Sequence, residues 1–192
     1  MQVFEYLIIL SSAFVLASAC GFRVFVPPML ISLIYKLGII ELNETWNWLR
    51  NPWVFSILAI ATLIEVFAYY LPWLDHLLDV FSTPSAIAAG ALLSAISLEG
   101  VNPSLQWFLA VVGGGSSAAI IQASSVSIRL ASSLSSAGFG NLLISSIELF
   151  FAISIVLIVI FFPIFSLLFI FFFVLLAKKV LRRLTLSRIF KK

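Results

Sequence analysis

Apolar runs separated by short polar breaks predict a series of membrane helices along this chain. The first run contains Pro27 and Pro28. Proline removes a backbone hydrogen-bond donor and pushes the preceding residue away from helical geometry. We therefore expect a first helix over residues 3–22, a break or kink at the two prolines, and a short or re-entrant piece over residues 28–40.

Residues 53–71 are the clearest candidate for a spanning helix, which Pro72 ends. The polar and aromatic segment before it, 41–52, suits a loop or a short helix at the level of the lipid headgroups. After Pro72, one face of the predicted helix carries Asp75 and Asp79, and the other carries apolar residues: Leu74, Leu77, Leu78 and Phe81. This pattern is typical of an amphipathic helix that lies in the membrane interface.

Three further segments follow. Residues 84–98 are rich in small side chains and are marginally long enough to cross a bilayer. Residues 104–134 have helical periodicity, and the glycines at 113–115 allow a bend or a close helix contact. The apolar run 142–177 would be about 54 Å long as one helix, against a hydrocarbon core of about 30 Å. We favour a long helix kinked at Pro163, and a tight hairpin is the alternative.

Composition supports the assignment to the membrane. Hydrophobic residues make up 62% of the chain and charged residues 10%, against roughly 45–50% and about 25% in soluble domains. The 192 residues give room for about five to seven crossings of roughly 20 residues each. We predict an all-α, polytopic integral membrane helical bundle, with one transmembrane domain over residues 1–177 and some short or re-entrant pieces.

The basic residues are concentrated in the tail 178–192, which holds seven of the eleven lysines and arginines and no acidic residue. Under the positive-inside rule, such a tail predicts a cytoplasmic C-terminus. A patch that binds anionic lipid is the second interpretation, and a nucleic-acid-binding arm is the weakest of the three. We expect the bilayer, and no nucleic acid, as the partner.

Two arginines lie in stretches apolar enough for the bilayer, and each follows a similar segment, SSAFVLASACGFRV in the first half and SAAIIQASSVSIRL in the second. Four positions recur between the segments: Ala13, Ala17, Ser18 and Arg23 match Ala119, Ala123, Ser124 and Arg129. A charge at membrane depth costs several kcal/mol, so it usually faces inward, has a partner and serves a function. The pattern predicts a duplicated site in two related halves, 1–98 and 104–177.

Two glutamates in spanning runs, Glu65 and Glu148, are the natural partners of these arginines, because a buried charge without a counter-charge is prohibitively costly. Secondary polar candidates lie on helix faces near them: Gln122, Ser125 and Asn141. One interpretation is a set of structural ion pairs that tie helices together. The other is a polar pathway or a site for an anionic headgroup.

Candidate chemistry elsewhere is weak. Asp75, His76 and Asp79 could serve as acid, base or metal ligands, but carboxylates on the wet face of an interfacial helix are more often only solvated. The single histidine excludes a histidine-rich metal site within one chain. Phosphate-binding loops, G-x-S-x-G elbows and His-Glu-x-x-His motifs are absent from the sequence. We assign no catalytic residue, no metal and no cofactor.

Two motifs, ASACGFRVFVPP at 17–28 and LPWLDHLLD at 71–79, resemble the bacterial membrane proteins grouped as domain of unknown function family 4126. Weaker similarity lies at 90–93, at 113–115 and around Arg129, Gly140, Asn141 and Glu148. The resemblance covers about residues 10–165. It implies a small multi-pass membrane protein and supplies no established activity. We expect this protein in the bacterial inner membrane.

The chain departs from the family pattern in its second half. The pattern usually has a histidine and a lysine before the second arginine, where this chain has Gln122 and Ser125. It also has a proline and an acid where Leu142 and Leu149 stand. A proton-handling role in the second half is therefore not implied for this member.

Two functional hypotheses remain from the sequence. The leading one is a small transporter or channel-like protein that handles a small solute, ion or lipid headgroup at a polar site formed by the two arginines and two glutamates. The rival is a non-transporting accessory or scaffold subunit of a larger membrane complex, which docks through its overlong C-terminal helix and its exposed phenylalanines. The partner is then another membrane protein, and a homo-oligomer is the alternative to such a partner. An intramembrane enzyme is the least supported class.

Overall fold

The computed structural model describes residues 2–136 and 139–171, and over these residues the chain is helical with no β-strand. Seven α-helices follow one another, with a 3₁₀ helix at Glu44–Arg50 and a π-helical segment at Ala110–Gly115. The α-helices are α1 (Gln2–Phe22), α2 (Val26–Lys36), α3 (Pro52–Ala68), α4 (Pro72–Ser97), α5 (Pro103–Leu109), α6 (Ser116–Ser136) and α7 (Phe139–Phe161).

Four of the described segments are long and apolar enough to cross a membrane, and a fifth span results if the 3₁₀ helix and α3, bent by 60°, are counted as one. The four segments are Val3–Phe22, Asp79–Ser97, Pro103–Ser133 and Gly140–Phe161. The all-helical membrane architecture is confirmed. The segment expected to be the clearest span, α3, has only 17 residues, because it begins at Pro52 and ends at Ala68.

The break between α1 and α2 lies earlier than the sequence predicts. The chain leaves helical geometry at residues 23–25, and Pro27 and Pro28 fall within the first turn of α2. Proline suits this position, since the first turn of a helix has no internal partner for its N–H groups. The two prolines therefore begin a helix rather than interrupt one.

A single helix, α4, replaces the predicted interfacial helix and the separate segment after it. Pro84 lies inside α4 and removes one backbone donor from it. Hydroxyl groups bond carbonyls of the same turn: Thr83 Oγ1 donates to the Asp79 carbonyl at 3.1 Å, and Ser85 Oγ donates to the Phe81 carbonyl at 2.8 Å. The carbonyl that loses its helical donor is that of Val80, four residues before Pro84, and these two bonds lie on either side of it.

Close helix packing places α1, α4 and the π-helical segment together at the core. A Cβ atom added to Gly90 would lie 3.3 Å from the Ala17 carbonyl and 3.2 Å from the Gly114 carbonyl. Small residues at such positions allow backbones to approach closely, which is how membrane helices pack without a hydrophobic driving force. The close helix contact expected from the glycines at 113–115 is thus present.

The chain reverses after α7. The Phe22 and Phe151 rings stack at 5.8 Å, and a continuous helix would carry Ile170 about 28 Å beyond that contact. Instead, Ile170 lines one small pocket together with Ser18 and Phe22. The long kinked helix was therefore the wrong choice for the described residues, and a turn at Pro163 gives a hairpin.

Candidate functional site

The charged side chains of the transmembrane part meet at one end of the bundle, where α1 and α3 end and α2, α4 and α7 begin. Arg23 lies at the break after α1 and is 1% exposed. Its Nη2 donates to the Ser145 carbonyl of α7 at 2.8 Å and lies 3.7 Å from Glu148 Oε2. The break therefore places the Arg23 guanidinium group between the end of α1 and the start of α7.

Arg129 approaches the same place from α6 and is also 1% exposed. Its Nη1 donates to Glu148 Oε2 and its Nη2 to Asp79 Oδ1, each at 2.5 Å. Glu148 Oε2 therefore lies between both arginines. Charge-assisted bonds of this kind are stronger than neutral ones and offset part of the cost of burying the charges.

Tyr69 forms the centre of the cluster. The guanidinium carbons of Arg23 and Arg129 lie 4.2 Å and 4.5 Å from the centre of its ring. The hydroxyl donates to Asp79 Oδ1 at 3.3 Å and lies 2.9 Å from Ser82 Oγ. A desolvated cation over an aromatic face gains about 2 kcal/mol, so one ring helps to hold two positive charges without adding a negative one.

Glu65 has a different role from the direct ion pair that the sequence predicts. Its Oε1 accepts the N–H of Val24 at 2.6 Å and its Oε2 accepts the N–H of Phe25 at 2.9 Å. These N–H groups belong to the break before α2, where the first residues of a helix lack internal partners. Glu65 therefore caps the broken helix, and its negative charge acts on the arginines from a distance.

Several buried polar atoms of this region have no hydrogen-bond partner among the described residues. They are Nε and Nη1 of Arg23, Oε1 of Glu148 and Nε2 of Gln122. A buried donor or acceptor without a partner costs about 1–3 kcal/mol, and more when the group is charged. The cluster thus presents unused donors on one arginine and an unused acceptor on the glutamate that faces it.

Three of the four primary candidates, Arg23, Arg129 and Glu148, meet in direct contact, and Glu65 lies at the adjacent break. Among the secondary candidates, Ser125 lies beside the Glu148 carboxylate. Asn141 Nδ2 donates to Ser133 Oγ at 2.8 Å, farther along α6. The sequence-derived set is therefore largely one spatial group.

Asp79 requires a correction. The sequence suggested that it faces water, but it is buried and bonded to Arg129, because the face of α4 that carries Asp79 turns toward α6 and α7. The side chains of Asp75 and His76 lie outside the described part of the structure, as does the tail 178–192. Among the described residues, no group of three His, Cys, Asp or Glu is placed to hold a metal ion.

Tyr69 and Ser82 were missing from the sequence-derived site. A signal existed for each, since Tyr69 follows Glu65 by four residues and Ser82 follows Asp79 by three, which places each pair on one helix face. Neither residue is charged, so neither attracts attention in a search for membrane-buried charges.

One known family matches a stretch of the chain that contains every residue of this cluster. The sequence model of the family described as Domain of unknown function (DUF4126) matches residues 10–183, which is most of the chain. The chain belongs to the DUF4126 family. The resemblance drawn from the two longer motifs is confirmed, and the DUF4126 match includes all the cluster residues. Searches of curated proteins and of solved structures find no match to the chain.

Proposed function

We propose that this membrane protein binds a small oxygen-rich anion at the arginine–tyrosine cluster and conducts it through the bundle. The anion is a carboxylate or a phosphate, either of a free solute or of a lipid headgroup. The observation that carries the proposal is the Arg23 guanidinium, which is almost fully buried and whose Nε and Nη1 have no hydrogen-bond partner in the part of the chain that the structure describes.

A purely structural ion pair would use the donors of both arginines. Arg129 reaches two carboxylates at 2.5 Å, whereas Arg23 lies 3.7 Å from the Glu148 carboxylate oxygen and, within residues 2–136 and 139–171, hydrogen-bonds a carbonyl alone. An anion could satisfy the remaining Arg23 donors, since guanidinium groups match the oxygens of carboxylates and phosphates. A protonated oxygen of the same ligand could donate to Glu148 Oε1.

The broken helices support conduction over static binding. Arg23 lies at the break between α1 and α2, and the π-helical segment interrupts the helical path that leads to Arg129. Transporters commonly place their substrate sites at discontinuous helices, where freed backbone groups and helix ends face the substrate. Glu65, which caps the break, would keep the local geometry fixed while a ligand exchanges.

Thermal unfolding of the purified full chain in detergent tests binding directly. The probes are inorganic phosphate, acetate and glycerol 3-phosphate, the last of which carries the phosphate of a lipid headgroup. A ligand at 100 times its Kd stabilises the folded state by about 2.7 kcal/mol. For a chain of this size, that corresponds to a rise in Tm of about 5–10 °C.

Arg23→Leu should abolish the rise in Tm with the effective probe. Arg50→Leu is the matched control, because Arg50 is exposed and lies outside the cluster. The effective probe should also enter proteoliposomes that contain the wild-type chain and not those that contain Arg23→Leu. A wild-type Tm that no probe changes, or an equal response in Arg23→Leu, would contradict anion binding; binding without flux would contradict conduction.

A further inference from the structure

A pocket beside the arginine cluster lies between α3 and α4 and opens at the side of the bundle; neither arginine lines it, but it shares Glu65 and Ser82 with the cluster region. Its volume is about 240 Å³. Phe25, Ile64 and Phe81 form apolar walls, and Glu65 and Ser82 supply polar atoms. A pocket with apolar walls and a few polar groups has the usual composition of a small-molecule site.

The mouth of this pocket faces lipid. Ile64 and Phe81, which line it, are 61% and 71% exposed. The apolar side chains around them are similarly exposed: Ile60, Phe67 and Val80. Such a large apolar surface on membrane helices is compatible with hydrocarbon and not with water. A molecule that enters this pocket therefore comes from within the bilayer.

The polar groups of the pocket select for a hydrogen-bond donor. Each oxygen of the Glu65 carboxylate accepts one backbone N–H, and a carboxylate has about four acceptor sites in all. Ser82 Oγ lies 2.9 Å from the Tyr69 hydroxyl and can accept or donate. An anionic headgroup would place a second negative charge beside Glu65 in a medium of low dielectric constant, which is strongly unfavourable.

We propose that this pocket binds a single-chain amphiphile whose ammonium or hydroxyl headgroup donates a hydrogen bond to Glu65. The pocket is smaller than the roughly 300–1,000 Å³ of drug-sized ligand sites, so it holds the headgroup and its first methylene groups. The rest of the alkyl chain leaves through the mouth between Ile64 and Phe81 and stays in the bilayer. This site does not depend on anion binding at Arg23.

Photolabelling tests the proposal. The full chain is placed in phosphatidylcholine vesicles with a dodecylamine that carries a diazirine on its alkyl chain. After irradiation, mass spectrometry should locate the label on α3 and α4 near the mouth. Ala61→Phe fills the pocket with an aromatic ring and should reduce this labelling at least tenfold. Ala59→Phe is the matched control, since Ala59 is half-buried on the same helix but does not line the pocket.

Headgroup selectivity gives the second measurement. A diazirine-bearing dodecanol should label the same residues, whereas a dodecanesulfonate with the same diazirine should not. Labelling spread evenly over the lipid-facing helices, equal labelling by the sulfonate, or unchanged labelling of Ala61→Phe would overturn the proposal. Ala61→Phe should keep the wild-type thermal response to phosphate, acetate or glycerol 3-phosphate, so a failure of this site is distinguishable from a failure of anion binding.

Discussion

At the scale of single residues, Tyr69 and Glu148 explain how two arginines can be buried side by side. Two guanidinium groups repel each other, and burial removes most of the water that would screen them. Glu148 Oε2 lies within 3.7 Å of one arginine and 2.5 Å of the other, and the Tyr69 ring faces both. The site is therefore stable only while the shared carboxylate remains charged and in place.

Glu148→Gln tests this dependence. The substitution keeps the shape of the side chain but removes the negative charge that both arginines share. Loss of one partner of a buried ion pair typically costs about 3–5 kcal/mol. We expect a loss of that size in the free energy of unfolding, measured by tryptophan fluorescence in detergent during chemical denaturation.

The control for this variant is Glu41→Gln, because Glu41 is an exposed acid in the loop between α2 and the 3₁₀ helix, outside the cluster. Surface substitutions of this kind usually change stability by less than about 0.5 kcal/mol. Equal stability losses for the two variants would show that the bridging position of Glu148 has no special importance.

Part of this cluster can be predicted from the sequence for a clear physical reason. A charge in an apolar run has to find a counter-charge, so Arg23, Arg129 and Glu148 could be grouped without coordinates. Asp79 could not be placed in the same way. Its spacing with Asp75 and the leucines fits a water-facing helix face equally well, and only the packing of α4 against its neighbours decides which face is buried.

At the scale of elements, α4 shows the limit of local signals. Thr83 and Pro84 have the features of a helix start, and residues before and after them differ in polarity. The helix nevertheless continues, and tertiary contacts hold it on both sides of Pro84: Asp79 pairs with Arg129, and Gly90 packs closely against Ala17 and Gly114. The helix propensities of the residues around Thr83 and Pro84 therefore predict poorly whether the helix ends there, because tertiary packing can override them.

The contact between α4 and the π-helical segment leads to a second prediction. A Cβ atom on Gly114 would collide with the Ser94 side chain and would lie 3.0 Å from the Gly90 carbonyl. Overpacking of a tight core costs about 1–3 kcal/mol. Gly114→Ala should therefore lower the free energy of unfolding by about that amount in the same denaturation assay.

Ser94→Gly provides the rescue for this variant. Ser94 Oγ is buried and has no hydrogen-bond partner among the described residues, so its removal breaks no such bond. The glycine itself costs about 1 kcal/mol in a helix. The double variant Gly114→Ala with Ser94→Gly should lose less free energy of unfolding than the two single variants lose together, by at least about 0.5 kcal/mol. Strict additivity would argue against this contact.

At the scale of the whole molecule, the two arginine segments converge although their helix breaks differ. Arg23 follows α1 directly and precedes a break, whereas Arg129 lies within α6, well after the π-helical segment. Both arginines nevertheless reach the ring of one tyrosine, Tyr69, while the internal repeat itself stays a prediction. Which ends of the helices meet depends on the number of reversals in the chain, and this number cannot be read from apolar run lengths alone.

The reversal after α7 gives the last prediction. Cys20 is the only cysteine of the sequence, so cysteines can be introduced at chosen positions in a Cys20→Ser background without a competing thiol. Cysteines at Ser18 and Ile170 should be joined by a short bifunctional thiol reagent, because both positions line one pocket. A continuous helix beyond Pro163 would separate them by about 22 Å along the bundle.

Mass spectrometry measures the fraction of the chain in which the two cysteines are linked. Cysteines at Ser18 and Ser146 are the control pair, which should stay unlinked. Failure of the first pair to link would show that the chain does not fold back along α1 after Pro163.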